Sequence, residues 1–450
     1  SPKSKLSALF GVVNGLCRQG AAPGKSNREC MKMKIPMSPQ KGRWRLWLLL
    51  GGLCILGTAH GAERTLSMTE QGPRKPAPDS LLLFMCGDVM TGRGIDQILP
   101  HPGDPVLYEP YVRDARRYVA LAEEANGPIP HPVAFDYIWG DAIAEMERMN
   151  PDLRLINLET SVTTSDDYWK GKGINYRMHP KNIPCITAAK IDFCALSNNH
   201  TLDWGYSGLT QTIDTLKGTH LSHAGAGHSL KEALKPAIFN MDSTTRVIVF
   251  SVGSETSGIP KSWAASKERP GTALLRNLSD STVRDMGLEI RRVKQPGDRV
   301  IVSIHWGGNW GYDIPPAQRD FAHDLIDTAG VDVVYGHSSH HVKGMEVYQG
   351  KLILYGCGDF LNDYEGIGGY EMFRGDLSLM YFASLERTTG NLLSLHMIPT
   401  QIRRFRVHRA SETDAGWLKQ RLNQVCMDLG TQVGQQEGNM LRLVWDLPES

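Results

Sequence analysis

Five short segments carry side chains suited to holding a metal ion or a phosphate. They are Gly87-Asp88-Val89-Met90, Asn157-Leu158-Glu159-Thr160, Ser197-Asn198-Asn199-His200, His305-Trp306-Gly307 and Gly336-His337-Ser338-Ser339-His340. Together they offer carboxylate oxygen, amide oxygen and imidazole nitrogen, the donor mix of a hard or borderline divalent cation. Singly, each has an ordinary structural explanation. A Gly-Asp after a strand is commonly a turn, and Asn157 or Asn199 alone reads as a cap or turn residue. A lone His305 reads as a satisfied buried histidine. What joins the five segments is position, because each follows or ends a short apolar run.

Those runs are Leu81–Cys86, Leu153–Leu158, Ile191–Leu196, Arg246–Val252, Arg299–Ile304, Val331–Tyr335 and Lys351–Tyr355. Turn residues bound them, and their length suits strands. Amphipathic stretches lie between several of them: Phe135–Met149, Tyr206–Leu216, Ser281–Val293 and Pro316–Ala329. Strand, helix, strand argues for α/β layers. In such folds ligands bind at the carboxyl ends of the strands, where distant segments can be brought to one edge. Leu377–Leu385 and Leu392–Ile398 read as a late β pair, and Asp414–Leu429 as a closing helix.

These motifs resemble the CapA family of poly-γ-glutamate capsule synthesis proteins, whose fold is like that of the calcineurin-type metallophosphoesterases. The resemblance runs from about Leu81 to Asn362. It also takes in Asn198-Asn199-His200-Thr201-Leu202-Asp203-Trp204-Gly205, Gly225-Ala226-Gly227 and Tyr355-Gly356-Cys357-Gly358-Asp359-Phe360. It implies a four-layer αββα core with two facing mixed β-sheets. It also implies a divalent metal site (Mn, Mg, Fe or Zn) held by Asp88, Glu159, Asn199, His305, His337 and His340. Asp88 would be the first aspartate ligand and Glu159 the bridging carboxylate. His200 would act on the attacked group as acid or charge stabiliser, positioned by Asp203. Asn157, Trp306 and Asp359 are expected to meet the substrate. Trp204, Trp306 and Trp310 are candidates for a wall along a polymer, with core packing the competing reading for Trp204.

The chain also departs from the pattern. Met90 stands where phosphoesterases carry a histidine ligand, and a thioether is a poor ligand for Mn²⁺, Mg²⁺ or Fe. The middle histidine of Gly-His-His-Pro-His is replaced by Ser338, and Asp359 replaces an asparagine. Two functions therefore stand side by side. One is a metal-dependent hydrolase acting on a phosphorylated or γ-glutamyl substrate. The other is a non-catalytic component of polymer synthesis or export, binding an anionic chain and membrane synthase subunits through the same pocket.

The chain has 450 residues, 49 Lys+Arg and 48 Asp+Glu, for a net charge of +1. That balance excludes a bulk electrostatic nucleic-acid binder, and 41% apolar residues exclude disorder as the main state. Eight Cys without a CxxC pair argue against a disulfide scaffold or zinc knuckle. Residues 1–62 read as a tail plus signal peptide or signal anchor. Lys32 to Arg45 supply the positive region and Leu46–Ala59 the apolar run. The expected destination is periplasmic or otherwise extracytoplasmic, with residues 46–59 cleaved off or kept as an anchor. Residues 63–79 read as a linker, 80–400 as the main domain, and 401–450 as a C-terminal extension with the closing helix. Pro102–Pro132 is expected to form a loop over the edge of the site.

Overall fold

Strand β1 (Ser80–Val89) is buried along its whole length. Its ten residues, SLLLFMCGDV, are apolar on both faces, as a strand covered on both sides must be. Alternate side chains enter two different cores. Leu82, Phe84 and Cys86 point into one, and Leu81, Leu83 and Met85 into the other. The computed structural model describes residues 79–446. The expected signal segment, nearly all of the linker, and Cys17, Cys30 and Cys54 lie outside the described residues.

After β1 come β2 (Leu153–Leu158), β3 (Phe193–Ala195) and β4 (Ser222–Ala224), each parallel to the one before. The second sheet follows: β5 (Ala237–Asn240), β6 (Arg246–Gly253), β7 (Arg299–His305), β8 (Val333–His337), β9 (Met345–Tyr348) and β10 (Lys351–Leu354). The chain then returns to the first sheet with β11 (Asp359–Leu361), β12 (Leu377–Glu386), β13 (Leu392–Ile402), β14 (Val407–Arg409), β15 (Thr431–Gln435) and β16 (Leu441–Trp445). The first sheet has ten strands on the path β15-β16-β13-β12-β1-β2-β3-β4, with β11 beside β1 and β14 beside β13. The second has six, in the order β9-β10-β8-β7-β6-β5. Both are mixed. β12 is antiparallel to β1, and β5 and β9 are antiparallel edges on a parallel centre.

The two sheets face each other across one core. Leu81, Leu83 and Met85 of the first meet Val249, Ile301 and Tyr335 of the second. Helices cover both outer faces. Helices Asp141–Met149 and Gly205–Lys217 bury Met146, Leu209 and Ile213 on the first sheet. Helix Asp280–Val293 places Val283, Met286 and Ile290 on one stripe against the second. The result is the four-layer αββα arrangement. Each fully buried large apolar side chain contributes about 1.5–3 kcal/mol to it.

Some boundaries differ from the sequence reading. Phe135–Met149 is a single-turn helix, Tyr137–Trp139, followed by a helix over Asp141–Met149. Gly140 breaks it at φ 46°, pressed against strand β14, where a Cβ would lie 2.1 Å from the Val407 carbonyl oxygen. Pro102–Pro132 is not only loop, because it holds a helix over Arg116–Asn126. The closing helix spans Glu412–Cys426, capped by the Ser411 hydroxyl. Past it, β15 and β16 complete the first sheet. Cys86, Cys185, Cys194, Cys357 and Cys426 are free and buried, packing as small apolar groups. No described helix is long and apolar enough to cross a membrane.

Candidate functional site

Register decides what the strand ends share. Asp88 of β1 pairs with Asn157 of β2 on one side and Asp359 of β11 on the other. In the second sheet His305 of β7 pairs with His337 of β8. Both sheets present these ends at the same edge. The β1 end reaches it because Gly87 lets two backbones touch. A Cβ there would lie 2.0 Å from the Gly358 carbonyl oxygen, which accepts the Asp88 N–H at 2.8 Å.

Asp88 is fully buried. Its Oδ1 accepts from Asn157 Nδ2 and pairs with His337 Nδ1, both at 2.8 Å, and its Oδ2 accepts the Ser338 N–H at 3.1 Å. Burial alone would push this carboxyl up. The hydrogen bond and charge of His337, then the charge of His305, outweigh it and hold Asp88 below the usual range. Glu159 is the opposite case: burial, then the like charges of Asp88 and Asp359, push it well up. Its Oε2 accepts from Asn157 Nδ2 at 3.1 Å. Its Oε1 lies 3.8 Å from both His200 Nε2 and His305 Nε2.

One atom each of Asp88, Glu159 and His305 lie within 4.8 Å of one another. Burial drives His305 down to about 3, so at neutral pH its imidazole is neutral, as a metal ligand must be. Its Nε2 lies 3.1 Å from Asn199 Oδ1. His337 stands beside the group through Asp88, and its buried Nε2 has no hydrogen-bond partner. Two buried carboxylates held apart in pKa, two imidazoles and an amide fit a divalent cation.

His340 is placed elsewhere. Its Nδ1 pairs with Asp359 at 2.8 and 2.9 Å and its Nε2 with Asn309 Nδ2 at 2.8 Å. It stands in the cavity wall, outside the three-residue group. Burial would lower it, but the Asp359 charge and hydrogen bond raise it overall. Met90 is buried with its sulfur 3.8 Å from the Tyr364 hydroxyl.

His200 borders the group. Its Nδ1 sits 2.6 Å from Asp203 Oδ2, a contact that requires a shared hydrogen. Burial lowers His200 to about 4, opposed by the Asp203 charge and assisted by Lys172. Asp203 Oδ2 also accepts the Tyr176 N–H at 2.6 Å, and the Tyr176 ring meets His200 edge-on at 4.6 Å. The neutral ring thus holds its hydrogen toward Asp203 and offers Nε2 as an acceptor toward Glu159.

Sequence reasoning missed Lys172. Its ammonium meets the Asn199 carbonyl, His200 Nδ1 and Asp203. It sits in a Gly-Lys-Gly loop with no strand before it, so the strand-end signal passed it by. Asn198 is a second such residue, within the Asn-Asn-His motif. It bonds Asn157 Oδ1 at 3.0 Å and the Leu158 carbonyl at 2.9 Å, locking two motifs together.

Above the group opens a cavity of about 1160 Å³, bordered by Asn199, His200, His340 and Asp359. The insertion reaches it through Tyr108, Tyr111 and Asn126, at the edge expected of it. Of the three residues assigned to substrate, Asp359 lines this cavity. Asn157 does not, being buried and bridging Asp88 to Glu159. The expectation for Trp306 is corrected. Trp306 is buried in the outer core of the second sheet, stacked beside Tyr355 and edge-on to Phe321, with its Nε1–H on the Tyr355 carbonyl at 3.1 Å. Alternation along the chain past β7 turns His305 to the site and its neighbour away. Trp204 is likewise buried, under the Arg177 guanidinium. Only Trp310 of the three lines the cavity.

The layers and the strand-end donors define a four-layer α/β protein with a candidate metal site at one sheet edge. The chain belongs to the family of bacterial capsule synthesis proteins, PGA_cap, whose profile matches residues 82–364. It is 48% identical over 368 residues to the "Probable polyglutamine synthesis accessory protein" of Mycobacterium tuberculosis, covering 82% of this chain and 97% of that one. The "Capsule biosynthesis protein CapA" of Bacillus anthracis is 24% identical, over 69% of this chain and 66% of its own length. The "PGA biosynthesis protein CapA" of Bacillus subtilis is 26% identical, over 63% and 64%.

Proposed function

We propose that this protein is an exported accessory factor of capsule-type polyglutamate biosynthesis whose strand-end site is a metal-dependent hydrolase. The observation that carries the reading is the buried Asp88–Glu159–His305 group, bordered by Asn199 and by His200, both of which open onto a large cavity, with Asp203 behind His200. A divalent cation held there would polarise a phosphoryl or amide carbonyl oxygen. Asp88, Glu159 and His305 would hold it, with Asn199 and His337 alongside. His200 takes or returns a proton at Nε2, and Asp203 fixes the ring so that Nδ1 keeps its hydrogen. Lys172 ties Asp203 to the backbone beside the histidine. The names of the relatives support polymer synthesis as the process, and membrane synthase subunits are the partners this reading calls for. The basic and apolar pattern over residues 32–59 supports export.

The test uses the purified full chain. Bound metal is measured, and phosphomonoester, phosphodiester and γ-glutamyl substrates are assayed with and without added Mn²⁺ or Zn²⁺. Turnover that is lost on chelation and in Asp88→Asn supports the hydrolase. Protein that binds no metal and turns over none of these substrates excludes it. The second reading, a non-catalytic polymer-binding subunit, is favoured by Met90, whose thioether removes one expected ligand. Under that reading, polymer binding survives Asp88→Asn and synthase subunits are recovered with the protein from membranes.

A further inference from the structure

The donors around the Asp88–Glu159–His305 group fall on two sides. On one side Asp88 meets Asn157 and His337; on the other, across the β1–β11 pairing, lies Asp359. The first side has donors still open. His337 Nε2 is buried without a hydrogen-bond partner, and Asn199 Oδ1 faces His305 Nε2 at 3.1 Å. With Asp88, Glu159 and His305 they supply two carboxylates, two imidazoles and an amide, enough for one cation.

A second cation would need donors of its own, because in two-ion hydrolases the ions sit roughly 3.5–4 Å apart. They would have to come from the Asp359 side, where Met90, His340 and Asp359 stand. None is free to serve. Met90 reaches this side through its N–H, which donates to the Leu361 carbonyl at 2.8 Å, but its thioether is a poor ligand for a hard or borderline ion. Asp359 meets His340 Nδ1 with both oxygens, at 2.8 and 2.9 Å, and its Oδ2 accepts from Asn362 Nδ2 at 2.8 Å. His340 is engaged at both ring nitrogens, since its Nε2 meets Asn309 Nδ2 at 2.8 Å. The ring is also held in place. The His340 N–H donates to the Asn309 carbonyl at 2.9 Å, so the two residues are joined twice. Trp310 packs on the ring at 5.4 Å, and Tyr364 meets it edge-on at 5.4 Å. Turning His340 toward an ion would leave a buried carboxylate or amide unmet, the costly outcome for a buried polar group.

We infer that the site is built for a single cation per chain, and that a hydrogen-bonded lattice of His340, Asp359, Asn309 and Asn362 occupies the place of a second. The inference rests on the metal-dependent reading above and fixes its ion count. A one-ion centre leaves the far side of the site to protein groups, where two-ion hydrolases set a second cation against the leaving oxygen. The test uses the full chain, stripped with a chelator and then titrated with Mn²⁺ by calorimetry. Bound ion is counted per chain at saturation, and electron paramagnetic resonance shows whether bound ions lie close enough to couple. The expected result is one Mn²⁺ per chain with the signal of an isolated ion. His340→Gln should leave that count and affinity unchanged, whereas Asp88→Asn should weaken binding by about ten-fold or more. The resonance of the wild type answers the question even where a variant fails to fold. Two coupled ions per chain overturn the inference and leave the hydrolase reading standing. A single ion lost in His340→Gln and kept in Asp88→Asn also overturns it, by placing the ion on the other side. No bound ion overturns both.

Discussion

The most informative single residues are the buried histidines. Burial pushes His200 down to about 4 and His305 down to about 3, below the ordinary 6.5. As pH falls below 6.5 the unfolded chain takes up protons that the native state refuses. Stability carried by these groups is therefore complete above about 6.5 and is lost as pH falls toward 3. We expect the melting temperature of the wild type to drop across that window. The drop should be shallower in His305→Gln by an amount on the order of a few kcal/mol. Identical pH profiles for the two proteins would refute the assignment. Gly87 supports a second prediction. Gly87→Ala should cost about 1–3 kcal/mol or more and weaken metal binding, because the new methyl must displace the Gly358 carbonyl that positions Asp88. Thermal melts with and without Mn²⁺ read both effects. His200→Ala should lower any turnover by about 10²–10⁴-fold with folding unchanged, read in steady-state kinetics beside circular dichroism.

At the scale of elements, β1 holds the molecule together. Phe84 packs against Phe360 at 6.4 Å and Phe382 at 5.5 Å, from β11 and β12. Phe84→Ala should cost about 3–5 kcal/mol in denaturant unfolding; a loss under 1 kcal/mol would mean the site collapses freely. Most elements were legible because apolar runs and helical periodicity are local signals. Val333–His337 lay close to its expected span, and the two extra residues at its end are what carry His337 into the sheet. The break at Gly140 was not legible, because its cause is strand β14, far along the chain. The insertion's helix was hidden by the prolines and tyrosines around it. Within the site, Asp88, Glu159 and His305 could be read from their strands. Lys172 could not, since a loop has no period to mark which way a side chain turns. Trp306, expected at the substrate, faces away for a related reason: alternation sends it and His305 to opposite sides.

For the whole molecule, near-neutral net charge conceals a cluster of buried carboxylates between two sheets. If a cation binds there, native protein gains RT ln(1 + [M]/Kd), about 2.7 kcal/mol at a hundred-fold excess over Kd. Saturating Mn²⁺ should then raise the melting temperature of the wild type and not that of Asp88→Asn. An equal shift in both would place the metal elsewhere.

The order of the strands has a consequence for synthesis. Ser80 pairs with Glu386 and Asp88 with Asp359, so the first of the described strands waits for partners among the last. Until they emerge from the ribosome, this almost wholly apolar segment has β2 to pair with on one side only, and long loops remain to be closed. One edge of this strand is therefore open to wrong partners until late in synthesis. The centre is completed late as well: Asp88 and Glu159 come together on the paired strands β1 and β2, and His305 joins them only with the second sheet.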